Sequence, residues 1–439
     1  MDFGEFILAH DGDDLARLAL DRDKYISEVE DFELALTTLE VRRKLRLKVP
    51  QWYALPGLRY PLRLSGEQCS SSAAAFYKAS VVPARSVADL TGGLGVDSWA
   101  FSQVASQVLY NEMQPILADA ARHNFGLLGV KNVTVRNCRL DAGGLTEVLD
   151  GFEPDLIFLD PARRAEDGRK VFRLEDCSPN VLKLLPELFE AAPRIMLKLS
   201  PMADITLVCK QLGHVKEVHV VAADGECKEL LLLLERGYEG AYSITIFENG
   251  FAMPLDQVQG VFGRGPFLGA GPGPGSVPQS SPSGIIVGPG PRDEIGPGPN
   301  IGWTRSTGPT VGDKSAGDDG LAILFEPGKA LLKAGAFDLP LSYGLEKIGR
   351  HTHLYIGPVP EELKPFGKVY QIQETVPLNS RSIKDIAKRY PRADVTARNI
   401  PLTSDQLRKK LGVKDGGPVH IFGVHSDAHN ANLLLICVV

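Results

Sequence analysis

Cysteine pairs, long apolar runs and net basic charge are absent from this chain of 439 residues. Its six cysteines form no CxxC pair and follow no regular spacing, which predicts neither a metal site nor a disulfide framework. No stretch approaches the roughly 20 apolar residues that span a membrane. The beginning, MDFGEFILAHDGDD, is acidic where a signal peptide is basic. We therefore expect a soluble, cytoplasmic protein without a membrane or metal partner.

The formal net charge of −6 conceals an uneven distribution along the chain. Residues 321–439 contain 16 Lys and Arg against 11 Asp and Glu, a local net charge of +5, which leaves about −11 on residues 1–320. With 44% hydrophobic residues, the composition is that of a globular protein, and the length predicts two or three domains.

The first 240 residues change from one periodicity to another. Apolar residues recur every three or four positions over residues 1–82, which predicts a helical N-terminal region. Over residues 83–240, short apolar runs alternate with helix-like stretches, which predicts a doubly wound α/β sheet of parallel strands. The runs are SVADL, QVLYNEM, NVTVRNC, DLIFLD, RIMLKLS and KEVHVVAA, with CKELLLLLE as one more near residue 230.

A segment rich in glycine and proline separates this sheet from the C-terminal part. Residues 263–299 contain 11 Gly and 9 Pro in 37 positions and offer little to bury, so we predict a flexible insertion or linker over residues 260–318. Helix-like and strand-like patterns resume afterwards. We assign residues 319–439 to a smaller, basic α/β domain.

The turn ADLTGGLGVD is the sharpest local motif, because it follows an apolar strand and leads directly into a helix-like stretch. Glycines at positions 92, 93 and 95 allow the backbone to approach a ligand closely. The turn is not GxGxxG and has no P-loop lysine, which argues against dinucleotide and nucleoside triphosphate sites. Asp89 ends the strand before this turn.

Acidic residues also end the following strands. Glu112 ends the next strand, about twenty residues on, where a carboxylate can accept both hydroxyls of a ribose. Asp141 follows the third strand, and Asp160 ends LIFLD before a proline that cannot continue a central strand. Because ligands bind at the carboxyl edge of an open α/β sheet, we expect a nucleoside cofactor and the reacting groups there.

These motifs resemble those of the class I methyltransferases, whose fold is Rossmann-like. DLTGGLGVD, NEM, LDA and DPARR are similar to four successive motifs of those enzymes. Outside the Gly/Pro segment the whole chain resembles a bacterial group with a THUMP-like C-terminal domain, notably in EQCSSSAAAFYKA, GRKVFRLEDCSP, LKLSPMADI and FEPGKALLKAGAF. The resemblance implies S-adenosylmethionine as the cofactor.

The resemblance also implies roles for individual residues. Glu112 would bind the ribose, Met113 would lie beside the adenine, Asp141 would reach its amino group, and Asp160 would lie beside the methyl donor and acceptor. The full set of expected cofactor residues is Asp89, Thr91, Gly92, Gly93, Gly95, Glu112, Met113 and Asp141, with Gln68 and Ser70 closing over the cofactor.

The acceptor is constrained by the DPARR turn. Arg163 stands where adenine-methylating enzymes carry an aromatic residue, and no cysteine follows the next strand, which argues against both adenine amino and covalent carbon methylation. We expect direct transfer to a nitrogen or oxygen, with Asp160 and Arg163 as catalytic residues. Arg164, Arg169 and Lys198 are the expected substrate ligands at this edge.

The basic C-terminal part favours RNA as the substrate, tRNA or rRNA in particular. Residues 380–414 contain 10 Lys and Arg against 3 Asp and Glu, and THUMP domains are RNA-binding modules. The expected ligands are Lys384, Lys388, Arg389, Arg398, Lys409 and Lys410. Two alternatives stay open: a methyltransferase acting on a small molecule or protein, and a protein that binds the cofactor or RNA without catalysis. An oxidoreductase fits the glycine turn poorly.

Overall fold

The structure, a computed structural model, describes residues 1–163, 174–255 and 322–438. Contacts along the chain divide them into two compact units. The first contains the residues up to 255 together with Lys329–Ala336, and the second contains residues 322–328 and Phe337 onward. The predicted Gly/Pro segment, residues 260–318, lies outside the described residues. No helix within the described ranges is long and apolar enough to cross a membrane.

The first unit begins with seven helices, as the sequence predicts. They are α1 (Phe3–Ala9), α2 (Leu15–Leu20), α3 (Arg22–Tyr25), α4 (Phe32–Lys48), α5 (Pro50–Tyr53), α6 (Arg63–Gln68) and α7 (Ser72–Val81). Aspartates begin three of them: Asp2, Asp14 and Asp31 each accept hydrogen bonds from backbone amides of the first turn. The first helices enclose a small core of their own, which includes Phe6, Phe32 and Leu39.

A nine-stranded sheet follows these helices. Its strands are β1 (Ser86–Asp89), β2 (Gln107–Asn111), β3 (Val133–Arg136), β4 (Leu156–Leu159), β7 (Arg194–Leu199), β8 (Val215–Ala223), β9 (Glu226–Glu235), β10 (Ser243–Glu248) and β11 (Phe251–Pro254), and a separate two-stranded ribbon pairs β5 (Ala162–Arg163) with β6 (Cys177–Ser178). The order across the sheet is β11-β10-β8-β9-β7-β4-β1-β2-β3. The helices between or after its strands are α8 (Val96–Ser102), α9 (Pro115–Leu127), α10 (Leu145–Leu149), α11 (Val181–Ala191), α12 (Ile205–Leu212) and α13 (Lys329–Lys333).

Two strands of this sheet, β9 and β11, depart from the parallel pairing that the sequence predicts. β9 runs antiparallel to both β7 and β8. The cause is the two-residue link between β8 and β9, Asp224-Gly225, where both residues have positive φ (53° and 73°). Such a turn matches the twist of an antiparallel hairpin, and Asp-Gly between apolar runs is a signal for it. Strands β10 and β11 were not predicted either.

The N-terminal helices and the sheet share one core. Trp52 stacks on Tyr60 and meets Trp99 of α8 edge to face, with ring centroids 5.9 Å apart. Strands β1 and β4 are buried along their whole length, as expected for central strands covered by helices on both faces. The helical N-terminal region is therefore packed against the nine-stranded sheet.

The second unit contains a seven-stranded sheet of order β13-β14-β12-β15-β18-β17-β16. Its strands are β12 (Ile323–Pro327), β13 (Glu346–Lys347), β14 (Tyr355–Ile356), β15 (Gly367–Pro377), β16 (Asp394–Arg398), β17 (His420–Ser426) and β18 (Ala431–Val438), and its helices are α14 (Leu339–Ser342), α15 (Ser380–Arg389) and α16 (Ser404–Leu411). α15 and α16 bury Ile386, Leu407 and Leu411 in one core, which includes Ile421 and Ile436 of the sheet. The smaller α/β C-terminal domain is thus confirmed, although Lys329–Ala336 belongs with the first unit.

Candidate functional site

The glycines of the turn after β1 are needed for two reasons, close packing and positive φ. A Cβ at Gly92 would come within 2.1 Å of the ring of Tyr110, so close packing explains that position. Gly93 and Gly95 have positive φ (54° and 93°), which disfavours any other residue. At Gly93 the space beyond a Cβ is open, with only the carbonyl of Thr91 at 3.9 Å. Gly93 is therefore the glycine whose backbone faces room for a ligand.

Glu112 meets this turn directly. Its carboxylate accepts a hydrogen bond from the backbone N–H of Gly93 at 2.9 Å and another from Gln114 at 2.8 Å. The side chain is buried, whereas the next residue, Met113, is 56% exposed. The glycine bend and the carboxylate at the end of β2 thus converge on one place, as the sequence predicts, and an exposed apolar side chain stands beside them.

Two further side chains, Asn111 and Tyr110, fix the ends of β1 and β2, and the sequence analysis assigned a role to neither. Asn111 donates to the carbonyls of Leu90 and Cys138 and accepts from the N–H of Cys138. Tyr110 donates its hydroxyl hydrogen to the carbonyl of Gly93 at 2.6 Å. Asn111, directly before Glu112, was the available signal, because an amide side chain can both donate and accept hydrogen bonds and so connect adjacent loops.

Asp89 is buried beneath the turn. It accepts hydrogen bonds from the hydroxyl of Ser98 (2.6 Å) and from the N–H of Thr91 (3.1 Å). Burial raises the pKa of Asp89 to about 7, an effect that the two hydrogen bonds only partly oppose. The carboxyl of this expected cofactor residue therefore changes charge near neutral pH.

Thr91 links the glycine turn to Asp160. The Thr91 hydroxyl oxygen accepts a hydrogen bond from the backbone N–H of Asp160 at 2.6 Å. After Asp160 and Pro161 the chain enters the short ribbon in which β5 pairs with β6. The acidic residue at the end of β4 therefore lies beside the glycine turn. This is the arrangement expected at the carboxyl edge of an α/β sheet.

Asp160 is held by Lys198, which ends the neighbouring strand β7. The Lys198 ammonium donates to one carboxylate oxygen, Oδ2, at 2.5 Å. Burial raises the pKa of Asp160, and Lys198 opposes that rise. Burial lowers the pKa of Lys198, but the carboxylates of Asp160, Glu229 and Asp97 outweigh it and raise the pKa. At neutral pH Lys198 is therefore an ammonium, and its charge favours the ionised form of Asp160.

Behind this pair lie three charged residues that the sequence analysis missed. Lys78, which is fully buried in α7, contacts Glu229 of β9 at 2.6 Å and Asp97 of α8 at 3.2 Å. Glu229 in turn lies 3.8 Å from Lys198. Each charged residue stands within or beside an apolar run, such as CKELLLLLE, and a charge inside such a run was the available signal.

The remaining expected cofactor residues have mixed surroundings. Ser70 is buried and donates to Asp97 at 2.8 Å, while Gln68 is exposed at the end of α6. Asp141 lies on an exposed turn, where it forms an ion pair with Arg139 at 2.7 Å. Arg164, Arg169 and the side chain of Arg163 lie outside the described residues.

The expected RNA ligands of the second unit fall into two groups. Arg389 pairs with Glu374 and Asp385, and Arg398 pairs with Glu326 at 3.0 Å. Four exposed lysines on α15 and α16 form no ion pair with any residue that the structure describes: Lys384, Lys388, Lys409 and Lys410. The two helices that carry these lysines contact each other. Within the described ranges, no cluster of His, Cys, Asp or Glu is suited to hold a metal ion.

Comparisons with known proteins agree with this architecture. Residues 367–438 match a THUMP domain-like family, and residues 324–362 match a ferredoxin-like domain. The whole structure is similar to that of a protein from Porphyromonas gingivalis W83 assigned as a candidate methyltransferase, with a TM-score of 0.71 and 29% identity over 99% of this chain and 97% of that one.

Relatives with curated names are similar over a shorter stretch. Two uncharacterized S-adenosylmethionine-dependent methyltransferases of Mycobacterium tuberculosis, from strains H37Rv and CDC 1551, are 28% identical over 167 residues. The match covers 38% of this chain and 43% of each relative, less than half their length. The fold is that of the class I methyltransferases, as the sequence predicts. The resemblance inferred from the sequence, to a methyltransferase of this class with a THUMP-like C-terminal domain, is confirmed.

Proposed function

We propose that the chain transfers a methyl group from S-adenosylmethionine to a nitrogen or oxygen of RNA. The observation that carries the proposal is the contact between Glu112 and the N–H of Gly93, with Asp160 held beside the same turn through Thr91. These groups come from the ends of three adjacent strands, β2, β1 and β4. A nucleoside cofactor needs such a set, with a ribose acceptor, a close backbone and a polar group at the reacting end.

The residues present fit this cofactor. Glu112 keeps lone pairs for the ribose hydroxyls, because each carboxylate oxygen accepts only one hydrogen bond from the residues that the structure describes. Met113 offers an exposed apolar surface for the adenine, and Gly93 faces open space. The buried Asp89 carboxyl would lie near the positively charged end. Gln68 and Ser70 stay candidates for closing the site, and Asp141 for the adenine amino group.

At the reacting end, Asp160 would receive the acceptor. When bound, S-adenosylmethionine supplies an electrophilic methyl carbon, whose bond to sulfur breaks as its bond to the acceptor nitrogen or oxygen forms. Lys198 occupies Oδ2 of Asp160, and Oδ1 accepts no hydrogen bond from the residues that the structure describes. That oxygen can accept a hydrogen bond from the acceptor and take up its proton.

RNA is the acceptor that the second unit favours. Four exposed, unpaired lysines on two adjacent helices supply the kind of charge that binds phosphates without reading sequence. Arg389 and Arg398 are weaker candidates, because their carboxylate partners already neutralise them. The match to the THUMP domain-like family supports the same substrate class.

Methyl transfer is tested with labelled cofactor and three cellular fractions: RNA, protein and small molecules. We expect label in RNA, at a nitrogen or oxygen that nucleoside analysis identifies, and loss of labelling in Asp160→Ala. Asp150→Ala, which changes an exposed aspartate of the same unit, is the matched control. Label in protein or small molecules would favour the alternative acceptors, and cofactor binding without labelling would favour a non-catalytic protein.

RNA binding is tested separately by its salt dependence. Changing Lys384, Lys388, Lys409 and Lys410 to Gln together should lower the slope of log affinity against log salt by about three, because each lost single-strand phosphate contact removes about 0.7. The control changes four exposed lysines of the first unit, namely Lys24, Lys131, Lys183 and Lys210. Equal effects of the two sets would contradict a specific role for α15 and α16.

A further inference from the structure

Five charged side chains form a continuous chain through the first unit. They lie in the order Asp97, Lys78, Glu229, Lys198 and Asp160, with nitrogen–oxygen distances of 3.2, 2.6, 3.8 and 2.5 Å. They come from α8, α7, β9, β7 and the end of β4, so no two belong to the same element. Carboxylates and ammonium groups alternate along it.

The chain is buried at one end and open at the other. Exposed side-chain fractions are 12%, 0%, 4% and 11% for the first four members and 38% for Asp160. Removing several charges from water is costly, so such an arrangement persists when each charge is paired. Lys78 has no freedom to leave its partners, because it is fully enclosed. The ammonium of Lys198 is therefore held at one place between Glu229 and Asp160.

This arrangement fixes the orientation of the Asp160 carboxylate. Lys198 binds Oδ2, and Thr91 accepts from the backbone N–H of the same residue. With both the backbone and one carboxylate oxygen held, the second oxygen points in one direction. A reacting group that takes a proton needs a fixed position as well as a suitable pKa.

We propose that Lys198, held by Glu229, is a positioning residue for Asp160 and not a ligand for substrate phosphate. The inference rests on the proposed function, in which Asp160 meets the methyl acceptor. It replaces the sequence-based expectation that Lys198 binds substrate. The remaining pair, Lys78 and Asp97, anchors the chain to the helix that directly follows the glycine turn.

The first test reads Asp160 itself, without any acceptor. The carboxyl carbon of Asp160 is followed by NMR during a pH titration of the full chain labelled with ¹³C-aspartate, and its signal is assigned by its absence in Asp160→Asn. Lys198→Met should raise the midpoint by at least one pH unit, because a cation that lowers the pKa is removed. Lys198→Arg should keep the midpoint near that of the unaltered protein.

A second variant, Glu229→Gln, should shift the titration midpoint of Asp160 in the opposite direction. The charge of Glu229 raises the pKa of Asp160, so Glu229→Gln should lower the midpoint. General loosening of the fold would move both variants in the same direction, toward the value of a solvated aspartate. Opposite shifts therefore support the ordered chain, and equal midpoints in Lys198→Met and the unaltered protein would overturn it. Near-UV circular dichroism checks that each variant is folded.

Kinetics then distinguish positioning from phosphate binding. If Lys198 positions Asp160, Lys198→Met lowers kcat at the acid side by about tenfold for each pH unit of upward shift, because the ionised fraction falls by that factor. KM for RNA and its salt dependence should stay unchanged. A raised KM with an unchanged pH profile would overturn the inference and identify Lys198 as a substrate ligand. If the unaltered protein methylates nothing, the proposed function fails, while the NMR titration still decides how Lys198 acts on Asp160.

Discussion

Lysine serves opposite purposes in the two units of this protein. In the first unit, Lys78 and Lys198 are buried between carboxylates and connect separate strands and helices. In the second unit, Lys384 and Lys409 are exposed on helices whose apolar faces pack on the sheet. A charged side chain that is enclosed by its partners connects the elements that carry them, whereas a solvated charged side chain is free to contact a ligand phosphate.

The comparison also shows why charge density along the chain is a poor guide. The basic stretch 380–414 contains arginines that face their own carboxylates, such as Arg389 with Glu374. The first unit is acidic overall, yet Lys198 contacts Asp160 in the candidate site and Lys78 is enclosed behind that pair. Whether a charge is available depends on its neighbours in space.

Removing Glu229 should have the largest effect on stability. Glu229→Ala leaves Lys78 and Lys198 buried beside fewer carboxylates, which we expect to lower the free energy of unfolding by about 3–5 kcal/mol. Glu235, on the same strand, forms a pair with Lys216 in which both side chains are about 40% exposed, so Glu235→Ala should cost no more than about 1 kcal/mol. Urea unfolding followed by tryptophan fluorescence measures both, since Trp52 and Trp99 lie in this core. Similar decreases in the unfolding free energy of Glu229→Ala and Glu235→Ala would contradict the expected difference between buried and exposed ion pairs.

Neutralising Glu112 should weaken cofactor binding next. Glu112→Gln keeps the shape and one acceptor oxygen but loses the charge, and hydrogen bonds to charged groups contribute about 1.5–3 kcal/mol. We expect the Kd for S-adenosylmethionine to rise about 10- to 100-fold by titration calorimetry. Glu147→Gln, an exposed change on α10, should leave the Kd unaltered. Binding of unchanged strength in the Glu112 variant would contradict the ribose assignment.

Cofactor affinity should also depend on pH through Asp89. Its raised pKa, about 7, means that the free protein holds a proton there at pH 6 and has lost most of it by pH 8. If the ionised carboxylate is the form that binds the cationic cofactor, the Kd should fall about tenfold between these values, following the ionised fraction. The ammonium group of the cofactor titrates in the same pH region. The Asp89→Asn variant lacks the carboxyl, so the pH dependence that remains in it measures the contribution of the cofactor ammonium. An equally steep profile in that variant would exclude Asp89 as the cause.

The smallest effect is expected for a single exposed lysine. Lys409→Gln should lower the salt slope of RNA binding by about 0.7 and weaken affinity only a few-fold, because one phosphate contact is lost among several. Lys131→Gln, in the first unit, is the control. Filter binding across a salt series gives the slopes of both variants. A larger decrease in slope for Lys409→Gln than for the four-lysine variant would contradict independent, additive phosphate contacts.

Much of the fold could be predicted because its signals are local. Short apolar runs between helix-like stretches predicted the strands from β1 to β4, and the glycines marked a turn that requires positive φ at positions 93 and 95. The prediction of parallel strands was wrong for β9, which is antiparallel to its neighbours, although Asp224-Gly225 is a hairpin signal. Asp141 was selected from its place after the third strand, and its ion pair with Arg139 could not be read from spacing.

What the sequence by itself determined is where the chain turns and which acids stand at strand ends, since those features depend on residues adjacent in the chain. Which charges meet was decided only by the tertiary structure. Glu229 reaches Lys198 and Lys78 because the hairpin inserts β9 beside β7, and α7 brings Lys78 from 151 positions away. Partners so far apart leave no periodic pattern, because electrostatic pairing depends on distance in space and not on separation along the chain.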